Sequence, residues 1–324
     1  MDPIAGIERF EAPADGVVLT IGNFDGVHLG HQALLEAACE IARQPSVPVV
    51  VITFDPHPLA ILAPERAPAR LTTLEERTTL LAAHGADHVI VLRSDRDLLS
   101  KTAEQFLKDV VTRCRPRDFV EGGSFRFGRD RAGSIETLRE RGDEFGYSVH
   151  VVAARKCESL PGAPTAASSA IRRALADGRV DLAHAMLGRP YRIAGSVGRG
   201  SGRGRPLGFP TANLESVPHL LPRAAVYAAA AQLESGAFHL AAVNIGLQPT
   251  FGEGTRPRVE AHLLDFDANL RERRLGIHLF ARLRDQVKFA GPNELADQLR
   301  RDVAAARKYA GLLEELRSAP HVPL

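Results

Sequence analysis

The feature that most limits the possible folds is an alternation in the first half of the chain. Short apolar, β-branched runs alternate there with segments whose apolar residues recur at helical spacing, such as Leu34, Leu35, Ala38 and Ile41. The runs are Val17–Ile21, Val47–Phe54, His88–Leu92, Asp118–Val120 and Tyr147–Ala153. This order predicts an α/β domain, an open Rossmann-like parallel sheet covered by helices, with ligands bound at the carboxyl ends of the strands.

Helix boundaries are marked by capping residues and glycines. Thr72 to Glu75 has the spacing of a capping box, which predicts a helix that begins after Thr72 and ends at Gly85. Ser134–Gly146 has the same character, with serine before and glycine after a helical pattern. Two further helices are predicted at Ser168–Gly178 and Val180–Gly188.

The pattern changes after about residue 188. Short strand candidates separated by turns follow, at Tyr191–Val197, Val226–Leu233, Phe238–Ile245, Val259–Phe266 and Gly276–Leu283. Such a succession predicts a compact antiparallel β-barrel, followed by a terminal helix near Asn293–Arg317. We therefore expect two domains, residues 1–187 and 188–324.

Composition argues against several classes of protein. Lys and Arg number 41 and Asp and Glu 39, a net charge of +2, which gives no electrostatic footprint for nucleic acid or an anionic membrane. The N-terminus lacks the apolar region of a secretion signal, and no apolar run approaches the ~18 residues of a membrane helix. The three cysteines show no metal-ligand spacing. We expect a cytoplasmic protein with small-molecule substrates, either a monomer or a weak homo-oligomer.

The strongest candidate site is the segment from Gly22 to His31, GNFDGVHLGH, which follows a predicted strand and enters a predicted helix. Backbone N–H groups and the helix dipole favour phosphate there. His28 and His31, three residues apart at a helix start, would lie on one side and could stabilise charge on a triphosphate. The alternative is a glycine turn with two incidental histidines.

The segment resembles the HxGH-type nucleotidyltransferases, and the longer string is similar to the FAD-synthetase branch of bacterial bifunctional riboflavin kinase/FAD synthetases. The resemblance implies that His28 and His31 are catalytic, in a direct in-line attack by FMN with no covalent enzyme intermediate. It further implies ATP-binding residues at Gly22, Asn23, Phe24, Asp25, Gly30, Ser168, Ser169 and Arg172, and flavin-binding residues at His57, Phe125 and Phe127.

Other interpretations of these residues remain open. Phe125 and Phe127 could be an aromatic pair tucked into the core, and Ser168 could simply cap a helix. The chain also departs from the family at Glu121, Ser124 and Ala167, where the family has other residues. An added carboxylate or a lost hydroxyl at these positions could weaken the binding of FMN or ATP.

A second candidate site begins at Gly195, in the string GSVGRGSGRGRPLGFPTANL. Glycines allow a loop to wrap a nucleotide, and arginines offer charge to its phosphates. Thr211 and Asn213 face the same side of an extended chain, and their oxygens suit Mg²⁺. A polar turn after Pro210 is the alternative. An RNA-binding tract is disfavoured, because the glycine–arginine run is short.

This string resembles the riboflavin kinase signature. The resemblance implies ATP-binding residues at Gly195, Gly200, Gly204, Arg205, Gly208, Pro210 and Asn244, and metal ligands at Thr211 and Asn213. It also implies that Glu260, in the string VEAHLLDF, is the general base that activates the terminal ribityl hydroxyl of riboflavin. Alternation along that strand puts Glu260 and His262 on one face and Val259, Ala261 and Leu263 on the other. The chain departs from the family at 270–272 and at Ala225.

Together the two resemblances cover nearly the whole chain, roughly residues 15–310. They imply a bifunctional enzyme in which riboflavin and ATP give FMN, and FMN and ATP then give FAD and pyrophosphate, with Mg²⁺ in both reactions. Three alternatives remain: a riboflavin kinase with a weakened or repurposed first domain, a non-catalytic flavin-sensing or storage module, and a nucleotidyltransferase acting on a different phosphate ester.

Overall fold

The computed structural model describes residues 1–158, 160, 162–199, 207–249, 255–318, 322 and 324, without the side chains of 247–249 and 255–257. The chain forms two compact units. The first comprises Met1–Glu158 and Gly162–Ala166, and the second Ser159–Pro161 and Ala167–Leu324. The segment 167–187 therefore belongs with the second unit by packing. A functional boundary at 187/188 stays a prediction, because packing does not define which residues serve which reaction.

A six-stranded sheet organises the described part of the first unit, in the order β1-β4-β3-β2-β5-β6. Each neighbouring pair in it is parallel. The strands are β1 Ile4–Ala5, β2 Val17–Ile21, β3 Val49–Asp55, β4 His88–Arg93, β5 Pro116–Gly122 and β6 Ser148–Val152. The predicted parallel α/β sheet is confirmed, and β1 is an added edge strand of two residues that carries no detectable sequence pattern.

Helices connect these strands. They are α1 Leu29–Arg43, α2 Pro58–Leu62, α3 Leu74–Ala83, α4 Arg96–Ser100, α5 Ala103–Cys114 and α6 Ile135–Phe145. The capping box of α3 is one residue later than predicted: Thr73 caps the helix and Glu76 completes the box. The Thr72 hydroxyl is engaged elsewhere, because it donates to the Asp25 carboxylate at 3.1 Å.

The sheet is buried on both faces, as parallel sheets generally are. Leu19, Val50 and Ile52 are fully buried on one face and Val18, Val51 and Val89 on the other, which explains why β2 and β3 are largely continuous apolar runs rather than alternating ones. Strand order reverses between β2 and β5, since β3 and β4 lie beyond β2 and β6 lies beyond β5. The carboxyl ends of β2 and β5 therefore border the crevice where ligands of open α/β sheets bind.

The second unit contains a closed barrel with the strand order β10-β11-β8-β7-β12-β9. Its antiparallel strands are β7 Tyr191–Gly198, β8 Ala212–Glu215, β9 Ala225–Leu233, β10 Phe238–Pro249, β11 Thr255–Leu263 and β12 Arg274–Arg284. The helices of this unit are α7 Ser168–Ala176, α8 Val180–Leu187, α9 Pro292–Arg307 and α10 Ala310–Ser318. The barrel is confirmed, although β8 was not predicted and the terminal helix is divided into α9 and α10.

Strand β9 is rich in alanines that are buried on both of its faces. Ala228 to Ala231 of β9 are fully buried, and Ala230 packs with Phe280 of β12 and Ala306 of α9. A bidentate ion pair also fixes α9 to the barrel, since the Arg284 guanidinium contacts both carboxylate oxygens of Asp302 at 2.8 and 2.7 Å. Among the described helices, each is too short or too polar to cross a bilayer.

Candidate active sites

In the first unit, the segment between β2 and α1 has an unusual backbone. Phe24 and Val27 adopt left-handed conformations, with φ values of 49° and 39°, and Gly26 has a φ of 87°. Left-handed conformations are costly for bulky residues and persist only where surrounding contacts impose them. The segment 22–28, the phosphate loop hereafter, is therefore a constrained turn at the carboxyl edge of the sheet.

Several contacts impose that shape. The Asp25 carboxylate accepts hydrogen bonds from the backbone N–H groups of Leu71 and Thr72 at 3.0–3.1 Å. The Thr72 hydroxyl in turn accepts one from Gly26 N at 3.1 Å. In the structure the Asp25 carboxylate fixes the phosphate loop to residues 71–72, and the binding of ATP by Asp25 stays a prediction.

The Arg77 guanidinium also contacts the phosphate loop. Its Nη1 donates to the Asn23 carbonyl at 2.7 Å, and its Nη2 lies 3.6 Å from Asp55 Oδ1. Burial lowers the pKa of Arg77, while the nearby Asp25 and Asp55 carboxylates oppose that effect. Sequence reasoning missed Arg77, because a lone arginine in an amphipathic helix ordinarily faces solvent.

His28 and His31 come together as predicted. His28 is the N-cap of α1 and His31 lies in the first turn. Their rings stack with centroids 3.6 Å apart and planes 19° apart, and Phe24 packs against His31 at 4.9 Å. Two imidazoles beside a helix N-terminus form a set of donors suited to a developing phosphate charge.

Gly30 permits this arrangement. A Cβ there would lie 3.1 Å from His28 Cε1 and 3.2 Å from the Ala166 carbonyl oxygen. Gly22 faces Phe24, since a Cβ at Gly22 would lie 3.1 Å from the phenyl ring. Phe24 is 1% exposed and belongs to the core, and its part in ATP binding stays a prediction.

The predicted flavin residues occupy different environments. Phe125 and Phe127 stack with centroids 5.5 Å apart, but Phe127 also packs on Phe106 and is buried, whereas Phe125 is half-buried. His57 caps α2, and its Nδ1 accepts a hydrogen bond from Leu59 N at 3.1 Å. Phe127 thus lies in the core and Phe125 packs partly buried against it, and flavin binding by either residue stays a prediction.

Ser168, Ser169 and Arg172 lie on α7, in the second unit. The N-cap is Ala167, which provides no side-chain hydrogen bond, so Ser168 begins the helix rather than capping it. The alternative interpretation, in which Ser168 simply caps the helix, is therefore wrong. The participation of these three residues in ATP binding stays a prediction.

In the second unit, three polar side chains are aligned across neighbouring strands. Glu260 of β11 is directly opposite Asn244 of β10 and Asn213 of β8. The alternation predicted for β11 is confirmed, since Val259, Ala261 and Leu263 are buried while Glu260 and His262 are half-buried on the other face. Strand register thus places a carboxylate between two amides.

The Glu260 carboxylate has two neighbours that hold it. Asn244 Nδ2 donates to Glu260 Oε2 at 3.4 Å, and Arg258 Nε lies 3.5 Å from Oε1. Gln286 Nε2 donates to Asn244 Oδ1 at 2.7 Å, which orients the Asn244 amide with its N–H groups toward Glu260. Neither Gln286 nor Arg258 was predicted. Gln286 lies 42 residues from Asn244 in the sequence, so no local pattern could reveal it, whereas Arg258 is two residues from Glu260 on β11 and the alternation could have indicated it.

Thr211 and Asn213 offer oxygen atoms of the type that Mg²⁺ prefers. Asn213 is 4% exposed. Its Oδ1 is buried without a hydrogen-bond partner among the described residues, while Thr211 is exposed. A buried carbonyl oxygen without a hydrogen bond costs folding free energy, unless a bound ligand such as a metal ion takes the place of the missing donor. These residues therefore fit a nucleotide-bound magnesium ion. The part of the chain that the structure describes contains no cluster of three or more His, Cys, Asp or Glu able to hold a metal.

A cavity of about 480 Å³ adjoins Thr211, with Gly198, Arg199, Phe266 and Asn269 among the residues that line it. Pro210 is held at its edge, since His262 Nδ1 donates to the Pro210 carbonyl at 2.8 Å. Gly208 has a φ of 83°, which favours glycine. A Cβ at Gly195 would lie 2.5 Å from the Glu215 carbonyl, so that glycine serves strand packing.

Three predicted ATP-binding residues of this site, Gly200, Gly204 and Arg205, lie outside the described residues. The described residues nonetheless bring Asn213, Asn244 and Glu260 into one row, with Thr211 two residues along the chain from Asn213. That row is the candidate active site of the second unit.

Comparisons with known proteins match two different families to the two parts of the chain. The FAD synthetase family model matches residues 11–162, and the riboflavin kinase model matches residues 187–310. A solved structure from Streptococcus pneumoniae, described as a macrolide-efflux protein, has a TM-score of 0.85 and 29% identity, covering 94% of this chain and 98% of its own.

Curated relatives named bifunctional riboflavin kinase/FMN adenylyltransferase match nearly end to end. The protein of Escherichia coli (strain K12) is 40% identical over 315 residues, which is 96% of this chain and 99% of that protein. The Pseudomonas fluorescens protein is 36% identical over 311 residues, covering 96% and 98%. On this evidence the chain belongs to the bifunctional riboflavin kinase/FMN adenylyltransferase family.

Proposed function

We propose that the chain converts riboflavin to FMN in its barrel unit and FMN to FAD in its sheet unit, using one ATP in each reaction. The observation that carries this proposal is the presence of two different constellations. Paired imidazoles at a helix N-terminus suit transfer to a phosphate, whereas a carboxylate between two amides suits transfer to an alcohol.

In the sheet unit, the FMN phosphate would attack the α-phosphate of ATP and release pyrophosphate. The nucleophile is already an anion, so no general base is required. His28 and His31 would donate hydrogen bonds to the charge that develops during transfer, and the phosphate loop would position the triphosphate. The constrained backbone at Phe24, Gly26 and Val27 supports this role, because it preorganises the donors.

In the barrel unit, the terminal ribityl hydroxyl would attack the γ-phosphate of ATP and release ADP. An alcohol must lose its proton, and Glu260 is placed to accept it. Asn244 and Arg258 hold the carboxylate in position. Asn213 and Thr211 would hold Mg²⁺, which neutralises phosphate charge when bound with the nucleotide.

Several further assignments belong to this proposal. We place the functional boundary at 187/188, with α7 residues Ser168, Ser169 and Arg172 serving the adenylyl transfer. We also propose action in the cytoplasm on small molecules, without nucleic acid, by a monomer or weak homo-oligomer. The net charge of +2 supports the absence of a nucleic-acid partner.

The test separates the two reactions in the full chain. Glu260→Gln keeps a hydrogen-bond acceptor for Asn244 but removes the base, so FMN formation should fall about a hundredfold or more. FAD formation from supplied FMN should be unchanged. Glu315→Gln, which alters an exposed glutamate on α10, is the matched control and should leave both reactions intact.

The reciprocal variants are His28→Gln and His31→Gln. Each should reduce FAD formation about a hundredfold while riboflavin phosphorylation persists. Flavins are separated by chromatography after incubation with ATP and Mg²⁺. If a folded variant at either site loses both reactions, the assignment of one reaction to each unit is wrong. If the unaltered chain turns FMN into no FAD, the kinase-only alternative holds instead.

A further inference from the structure

Glu121 has a position that the two proposed reactions do not yet explain. It lies near the end of β5 and is 1% exposed. The backbone register between β2 and β5 ends at Leu19 and Phe119, although both strands continue beyond it. There, Glu121 Oε1 accepts a hydrogen bond from Ile21 N at 2.7 Å. A side chain thus continues the link where the two backbones separate.

This link lies at the crevice where strand order reverses. β2 leads directly into the phosphate loop, and β5 leads toward Phe125. On the other side of β2, Gly22 N donates to the Ile52 carbonyl at 3.0 Å. The first residues after β2 are therefore fixed from both neighbouring strands, on one side by backbone and on the other by Glu121.

Burial opposes a negative charge on the Glu121 carboxyl. It raises the pKa of Glu121 well above its ordinary value, because the charged form is poorly solvated there, while the Ile21 hydrogen bond acts in the opposite direction. A protonated carboxyl still accepts a hydrogen bond through its carbonyl oxygen. The departure at residue 121 is thus compatible with binding the anions FMN and ATP.

We propose that Glu121 is a positioning residue for adenylyl transfer, a buried hydrogen-bond bridge from β5 to β2 that sets the start of the phosphate loop. It acts through Ile21 and the loop rather than by touching the reacting atoms. The inference rests on the proposed FMN adenylylation by the first unit. It differs from a purely structural role because the hydrogen-bond acceptor for Ile21 N, and not simply the buried volume, is what the reaction requires.

Two variants of the full chain separate volume from hydrogen bonding. Glu121→Gln is neutral, similar in shape and keeps an acceptor for Ile21 N. Glu121→Met has similar bulk and no suitable acceptor. Steady-state FAD formation is measured against FMN and ATP, and riboflavin phosphorylation in the same samples serves as the internal control.

We expect Glu121→Gln to retain kcat for FAD formation within about threefold. Glu121→Met should lower kcat about tenfold or more, with both KM values changed less than about threefold, because a misplaced loop costs most when the transferring phosphate must be aligned. Riboflavin phosphorylation should be unchanged in both. If the methionine variant equals the unaltered chain, or the glutamine variant falls as far as the methionine variant, the proposal is overturned.

Hydrogen exchange gives a second measurement if Glu121→Met does not fold. Amide exchange over residues 17–28 should be equally slow in the unaltered chain and in Glu121→Gln, with kcat retained. Retained protection with a lost kcat, or faster exchange with kcat retained, overturns the bridge. If the unaltered chain makes no FAD, the proposed function fails by itself, whatever exchange shows at Ile21.

Discussion

Removing the Arg284 guanidinium should destabilise the barrel unit measurably. Arg284 and Asp302 form a bidentate pair in which the Asp302 side chain is 4% exposed and the Arg284 side chain 20%. Arg284→Met would leave a buried carboxylate with Gln298 Nε2, at 2.9 Å, still donating to it. Breaking a buried pair from one side costs about 3–5 kcal/mol, and the remaining donor and the partial exposure of Arg284 place the expected loss at about 3 kcal/mol.

This loss of unfolding free energy predicts a shift in the melting temperature, Tm. For a domain of about 150–250 residues, each 1 kcal/mol shifts Tm by about 2–4 °C, so the barrel transition should fall by about 6–12 °C. Differential scanning calorimetry of the full chain should show this shift in one transition while the sheet unit melts as before. Riboflavin and ATP are left out, because ligands that bind the folded state raise Tm.

Two further variants make the measurement decisive. Arg300→Met removes an exposed partner of Asp297 on the same helix, where an ion pair contributes less than about 1 kcal/mol, so its shift should be small. Combining Arg284→Met with Asp302→Leu removes both charges and should recover much of the lost stability. A shift below about 2 °C for Arg284→Met, or no recovery in the double variant, would refute the reasoning.

Three other predictions concern the sites. Gly30→Ala should reduce FAD formation about tenfold by displacing the His28 ring, with riboflavin phosphorylation in the same sample unchanged; an equal loss of both reactions would contradict it. Gln286→Ala should lower kcat for FMN formation several-fold without changing Tm by more than about 2 °C, because it releases the Asn244 amide; unaltered kcat would show that Gln286 is dispensable. Because burial raises the pKa of Glu121, the folded chain keeps a proton that the unfolded chain releases above about pH 4.3, so stability falls as pH rises toward the folded pKa. Glu121→Gln lacks that fall, and its Tm relative to the unaltered chain should rise as the pH is raised above about 5; a constant difference would contradict this.

Sequence patterns predicted elements well where burial is one-sided or complete. Val17–Ile21 is a strand with the predicted bounds, because a continuous β-branched run fits a strand buried on both faces. Strand β8, Ala212–Glu215, was missed because it is short and carries Asn213 and Glu215, residues disfavoured in strands. Its place in the barrel comes from pairing with β7 and β11.

The contacts in the candidate sites also fall into those that local sequence predicts and those that depend on distant segments. The stacking of His28 and His31 follows from their spacing at a helix start, which is local information. The binding of Asp25 to residues 71–72, and of Glu121 to Ile21, joins segments that are distant in the sequence. Such contacts depend on strand order, so a local motif could not reveal whether either carboxylate faces a ligand or the protein's own backbone.

Closure of the barrel has a consequence for how the second site can change. Asn244, Glu260 and Asn213 meet because their strands are aligned in one register, and side chains alternate between faces with a period of two. A one-residue insertion within β11 would turn Glu260 inward and bring an apolar neighbour outward. Since every strand of a closed barrel constrains the next, length changes should be tolerated only in the connecting loops, where they leave the spacing of these three residues unaltered.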